Sequence, residues 1–140
     1  MKSDATRLLV DSIAFAAEKH RHLRRKDTRA SPYINHPIAL AQVLANEAGI
    51  TEAEILAAAV LHDTLEDTET LFSELEDRFG MAVAGVVQEV TDDKNLLKAE
   101  RKRLQVEHGA RISNRAKLVK LADKICNVRD VAHNPPVGWP

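Results

Sequence analysis

ILAAAVLHDTLEDT, residues 55–68, decides how this chain folds. From Ile55 to Leu61 the stretch is apolar almost all round, which describes a helix buried at the centre of its neighbours rather than one lying on a surface. Thr51 and Glu54 read as a capping box that opens it. Its far end is unusual. Buried helices commonly meet water through Lys, Gln or Ser, whereas this one runs into His62, Asp63, Glu66 and Asp67. Burying unpaired carboxylates costs several kcal/mol, so acids at the edge of a core need a cation or a set of donors.

Working outward, the pattern is helical nearly throughout. Asp4 reads as the cap of a first helix reaching about Leu23, with Leu8, Leu9, Ile13, Ala16 and Ala17 on one face. RRKDTRASPYINHP, residues 24–37, is polar and broken by Pro32 and Pro37, hence a loop. Pro37 suits the first turn of a second helix, IALAQVLANEA, for which Gly49 is the C′ residue. Beyond residue 68, Thr68 or Thr70 caps a short helix, LFSELEDRF, that Gly80 stops. MAVAGVVQEV follows as another apolar helix, TDDKN breaks the chain, and a charged helix spans about Leu96 to Glu107. Ser113 caps a last long helix through about Val131, and HNPPVGWP cannot continue it. Trp139 stands one residue from the end with little to pack against, which leaves truncation and a natural end both open.

Composition agrees with an all-α fold. The 140 residues suit one domain, 1–140, with one core; they are 44% hydrophobic but only 4% aromatic, so that core is built from Ala, Leu, Val and Ile. Five Gly and five Pro are too few for the turns of an all-β protein. No apolar run approaches the roughly 20 residues that span a bilayer, and MKSDATRLLVDS lacks a signal-peptide core, so a soluble cytoplasmic protein is expected. Cys126 is the single cysteine, which excludes an internal disulfide and a cysteine-based zinc site.

The net charge of -1 conceals segregation. Residues 41–93 hold thirteen acids against one base, Arg78, whereas residues 94–129 hold eleven bases against three acids. Residues 1–40 add eight bases and four acids. A fold that wraps the basic segments around the acidic one would seat an anionic ligand between bases and a carboxylate-held cation; solvated faces of opposite sign are the plainer alternative. No basic–aromatic interleaving points to nucleic acid.

The His-Asp dipeptide itself is weak evidence, since six His and ten Asp in 140 residues produce one by chance roughly 0.4 times. Taken alone, His62 reads as a hydrogen-bonded histidine at the core edge, and Asp123 as an exposed acid beside Lys120 or Lys124. Two features shift that balance. His36 stands in YINHP just before a helix, and Asp123 interrupts the apolar face LVKLA of the last helix. His36, His62, Asp63 and Asp123 together offer two imidazoles and two carboxylates, a donor set for a borderline or hard divalent ion. On the third helix His62 and Glu66, four apart, share a face, and so do Asp63 and Asp67.

The order H…HD…D resembles the HD hydrolase superfamily. More specifically, YINHP, VLHDTLEDT, VTDDKNL, ERKRLQVEH and KLVKLADKICNVRD resemble the metazoan SpoT homologues and their bacterial counterparts, small alarmone hydrolases related to the hydrolase half of RelA/SpoT enzymes. The likeness runs in order from about Ala14 to Trp139. It implies an HD-domain helical bundle with a metal site between helices, and a manganese-dependent 3′-pyrophosphohydrolase with one metal per chain. The substrate implied is guanosine 3′,5′-bis(diphosphate) or its pentaphosphate relative, converted to GDP or GTP and pyrophosphate. By motif, His36, His62, Asp63 and Asp123 match the metal ligands, and Glu66 and Asp67 match the acids that position or deprotonate the attacking water. Arg25 and Lys26 match residues lining the nucleotide pocket, and Asn127 and Arg129 lie where family members contact nucleotide or support the site.

Two departures follow from the same resemblance. Family members continue beyond the GW segment into helices that help close the pocket, and this sequence stops there. His20, His22, His108 and His133 have no context that ties them to a second ion and read as surface residues. Two other readings stay open: an HD phosphohydrolase for another nucleotide, such as a nicotinamide dinucleotide phosphate, and a metal-free module that binds the alarmone without cleaving it. Oligomeric state and preference between the tetra- and pentaphosphate are not legible.

Overall fold

A computed structural model of the chain describes residues 2–25, 29–91, 99, 100, 103 and 112–133. The run Ile55–Leu61 is buried at every position, as its uninterrupted apolar character requires, and forms most of α3 (Ala53–Leu61). The other elements assemble on this rod. They are α1 (Lys2–Lys19), α2 (Asn35–Asn46), the single turn α4 (Thr64–Asp67), α5 (Phe72–Phe79), α6 (Met81–Glu89) and α7 (Asn114–His133). α3 packs against α1, α2, α6 and α7, and α2 packs along α7. Ala57, Ala58 and Ala59 are fully buried, and their small side chains let four helices approach one rod. Phe15 of α1 closes the far side edge-on against Phe79 of α5, with ring centroids 5.3 Å apart. Among the described residues the only extended pairing is one bridge between Arg24 and Pro32.

Most elements fall where the pattern places them, and the differences sit at their ends. Asp4 lies inside the first turn of α1, where an acid still favours the helix dipole, rather than capping it. That helix stops at Lys19 because the chain turns inward at His20, which is 2% exposed and not the surface residue expected. His22 and His133 are exposed as expected, and His108 lies outside the described residues. The capping box does not form: Glu52 is the N-cap residue without a side-chain cap bond, and Glu54 reaches across to Arg115 at 3.1 Å. Neither Thr68 nor Thr70 caps α5, whose N-cap is Leu71; the two hydroxyls bond each other at 2.6 Å instead. Gly49 does adopt the left-handed φ of 68° that glycine favours, but two residues past the C-cap Glu47 rather than at C′. Ser113 caps α7 as expected, its Oγ accepting from the Ala116 amide at 3.1 Å. Residues 99, 100 and 103 are helical within the charged stretch; the rest of that stretch, the TDDKN break after Thr91 and the tail from residue 134 lie outside the described residues.

The most consequential difference lies inside the opening stretch. The central helix does not run on through the acids. It ends at Leu61, Asp63 takes φ -98° and ψ 0°, and one fresh turn begins at Thr64. The buried Thr64 hydroxyl donates to the Leu61 carbonyl at 2.7 Å, giving a partner to a carbonyl at the helix end. His62 and Asp63 therefore stand at a corner of the backbone, where both side chains can turn toward one point.

Candidate metal centre

Three separate segments meet at that corner: the start of α2 supplies His36, the α3–α4 corner supplies His62 and Asp63, and the middle of α7 supplies Asp123. His62 is 5% exposed, and its Nδ1–H donates to the Ala59 carbonyl at 2.8 Å, which fixes the ring. Nε2 is thereby aimed inward, 3.0 Å from Asp63 Oδ2 and 3.5 Å from Asp123 Oδ1. His36, also buried, brings its Nε2 within 2.8 Å of the same Asp123 Oδ1. Donor atoms of His36, His62 and Asp123 all lie within 4.8 Å of one another, and so do those of Asp63, Glu66 and Asp67.

The electrostatics of this cluster ask for a cation. Burial alone would lower the His62 pKa, yet the carboxylates of Asp123 and Asp63 more than offset it and push it up to about 10. Burial works against ionised Asp63 and Asp123 in turn, and the histidines beside them nevertheless hold both below the ordinary carboxylate range. His62 Nε2 is buried and pinned by the ring's other bond so that it faces the acids, 3.0 Å from Asp63 Oδ2. A proton there and a divalent ion there answer the same demand. Two buried imidazoles gathered on Asp123, with the Asp63 carboxylate 3.0 Å from His62 Nε2, make a donor set whose chemistry fits a divalent metal.

Several residues that the sequence reading passed over support the centre. The Tyr33 hydroxyl donates to Asp63 Oδ2 at 2.5 Å and lies 3.4 Å from Asp67 Oδ2, so one phenol links two acids of the cluster. Burial and the Asp63 carboxylate hold that phenol well above its usual pKa, so it remains a donor. The ring of His20 lies against Tyr33 with centroids 4.9 Å apart, and burial lowers its pKa below the ordinary histidine value. Asp130 Oδ2 accepts from the Arg25 guanidinium at 2.9 Å and sits 3.8 Å from His36 Nδ1, too far for a hydrogen bond but close enough to favour a proton on that nitrogen. Of these residues only Tyr33 and Asp130 lie in the motifs YINHP and NVRD, and their contacts with Asp63 and His36 join positions 30 or more apart in the chain.

The remaining expected residues divide. Glu66, Asp67, Arg25 and Asn127 line one basin of about 400 Å³ together with Arg24, Tyr33, His36, Asp63 and Asp123. Asn127 donates to Asp123 Oδ1 at 3.3 Å, one turn along α7. Arg129 is placed elsewhere: it forks onto both oxygens of Glu47 at 2.6 and 2.8 Å, beside a separate groove that Cys126 helps to line. Lys26 lies outside the described residues. Asp123, far from pairing with Lys120 or Lys124, turns to the two histidines.

An all-helical bundle with His, His-Asp and Asp converging from three segments defines a class, and comparison with known proteins bears it out. Residues 12–138 match the HD domain family, and the chain belongs to that family. Within it the chain is 56% identical over 139 residues to the human guanosine-3′,5′-bis(diphosphate) 3′-pyrophosphohydrolase MESH1, covering 99% of this chain and 77% of that one. The zebrafish (Danio rerio) protein of the same name is 55% identical over 139 residues, again covering 99% and 77%. Among solved structures, a metazoan orthologue of SpoT described as hydrolysing ppGpp superposes with a TM-score of 0.90 at 51% identity, over 95% of this chain and 75% of that one. No helix among the described residues is long and apolar enough to cross a membrane.

Proposed function

We propose that this chain hydrolyses the 3′-diphosphate of guanosine 3′,5′-bis(diphosphate) and its pentaphosphate relative, releasing GDP or GTP and pyrophosphate, with one manganese ion held by His36, His62, Asp63 and Asp123. The observation that carries the reading is the meeting of two buried imidazoles on Asp123 Oδ1 beside a basin that Glu66, Asp67 and Arg25 share. Relatives of that name at 55–56% identity support the substrate assignment.

When bound, the ion supplies Lewis acidity: it lowers the pKa of an attacking water and offsets charge on the phosphoryl group. The protein does the rest. Glu66 accepts the proton as the water oxygen bonds to the phosphorus next to O3′. The P–O3′ bond breaks, its electron pair stays on O3′, and a proton completes the ribose hydroxyl. Asp67, held in place from the Tyr33 side, orients the water; Arg24, Arg25 and Lys26 offset a polyanionic nucleotide. Asn127 steadies Asp123 through its amide.

The deciding experiment is product analysis. Purified chain is incubated with manganese and guanosine tetraphosphate beside an Asp63→Ala control, and the nucleotides are resolved by anion exchange. GDP and pyrophosphate from the parent alone are expected. An inert parent that still binds manganese stoichiometrically overturns the proposal.

A further inference from the structure

The ligand cluster is open on two sides. One is the large basin with Arg24, Arg25 and Asn127. The other is a smaller cavity of about 130 Å³, lined by Glu66, Val90, Val119, Lys120 and Lys124 together with the ligands His62, Asp63 and Asp123. Asp63, Glu66 and Asp123 border both, so the centre forms the sill between them. Lys120 and Lys124 flank Asp123 on α7, and with Asp123 turned to the histidines neither forms an ion pair with a carboxylate among the described residues. Two lysines help to line a small cavity partly walled by valine, where a phosphate oxygen would be less screened than in open water.

The geometry of phosphoryl transfer says what such a cavity is for. Attacking and leaving oxygens lie in line on opposite sides of phosphorus, so its remaining substituents project sideways. In a 3′-diphosphate one of those substituents is the second phosphate, which needs room and positive charge off the line joining water and nucleoside. The nucleoside needs the larger space. We propose that the Lys120–Lys124 cavity is the subsite for the distal phosphate of the transferred diphosphate, with the nucleoside in the Arg24–Arg25 basin. This assignment rests on the proposed reaction, and it makes the two lysines determinants of diphosphate over monophosphate esters.

The test uses inorganic pyrophosphate and guanosine 5′-monophosphate as separate probes of manganese-loaded protein, by calorimetry, with metal content shown equal in every form. Lys120→Ala and the exposed Lys124→Ala are each expected to weaken pyrophosphate about tenfold, as befits loss of a charge-assisted hydrogen bond, and to leave the monophosphate within about twofold. Arg24→Ala is expected to do the reverse. Pyrophosphate affinity unchanged in both lysine variants, or both probes weakened in parallel, overturns the subsite. Lysine-dependent pyrophosphate binding in a parent that does not hydrolyse the alarmone would sink the proposed reaction and leave the subsite standing.

Discussion

Replacing Tyr33 by Phe removes one oxygen and leaves the ring against His20. The lost atom is the donor to Asp63 Oδ2 at 2.5 Å, with Asp67 Oδ2 at 3.4 Å. A hydrogen bond to an ionised group contributes about 1.5–3 kcal/mol, and about 1.4 kcal/mol is a factor of ten, so the loss corresponds to about 10- to 150-fold. Outer partners of metal ligands elsewhere cost about 10- to 100-fold in affinity, the same range reached independently. Manganese should therefore bind Tyr33→Phe about 10- to 100-fold more weakly, in a competition titration against a chelating indicator. Because the bond is already present without metal, the thermal midpoint of the metal-free protein should fall as well, by several degrees. Because Asp67 loses its neighbour too, turnover at saturating manganese should also fall, which a mere loss of metal would not produce. An affinity within about twofold of the parent would refute the reasoning, since it would mean that the Asp63 carboxylate is held without the phenol.

Other consequences are as direct. His62 is raised to about 10 in the metal-free protein, so its protonation stabilises the fold below an unfolded pKa near 6.5, and that stability is lost as pH rises toward 10. Metal must displace the same proton, so manganese affinity should rise with pH through this window and calorimetry in buffers of different ionisation enthalpy should detect proton release; its absence would contradict the shared site. Glu66→Gln should lower turnover by about 10²-fold or more while manganese stays bound, as measured by metal analysis beside the rate; retained turnover would remove Glu66 as the base. Arg129→Ala should leave KM within about twofold, because its exposed pair with Glu47 is screened by solvent and stands off the basin; a large rise in KM would return Arg129 to the nucleotide contacts that the family resemblance implies.

What could be read in the sequence was what local chemistry decides. Ile55–Leu61 announced a buried helix because no residue there offers a polar face, and Ser113 announced α7 because a hydroxyl at that position has an amide to accept from. The candidate ligands came through motif resemblance, and the structure gathers donor atoms of His36, His62 and Asp123 within 4.8 Å of one another, with Asp63 Oδ2 3.0 Å from His62 Nε2. The corner after Leu61 was not legible. LHDT holds no Gly or Pro, and the bend depends on the Thr64 hydroxyl reaching the Leu61 carbonyl and on partners that Asp63 finds in distant chain. His20 escaped for a related reason: its burial follows from the loop after it folding Tyr33 over the ring, 13 residues on.

The centre also ties the chain to itself. His36 and Asp123 are 87 residues apart, and a cation held by both would cross-link the start of α2 to the middle of α7. With that ion bound, α7 would have to surrender it before leaving the bundle, so metal release would gate unfolding and attack by proteases. Ligand held at a hundred times its dissociation constant adds about 2.7 kcal/mol to the folded state. Where cleavage follows transient opening, the same figure appears as an approximately hundredfold longer lifetime. In a cell, the supply of the metal would then set how long the protein survives as well as how fast it works.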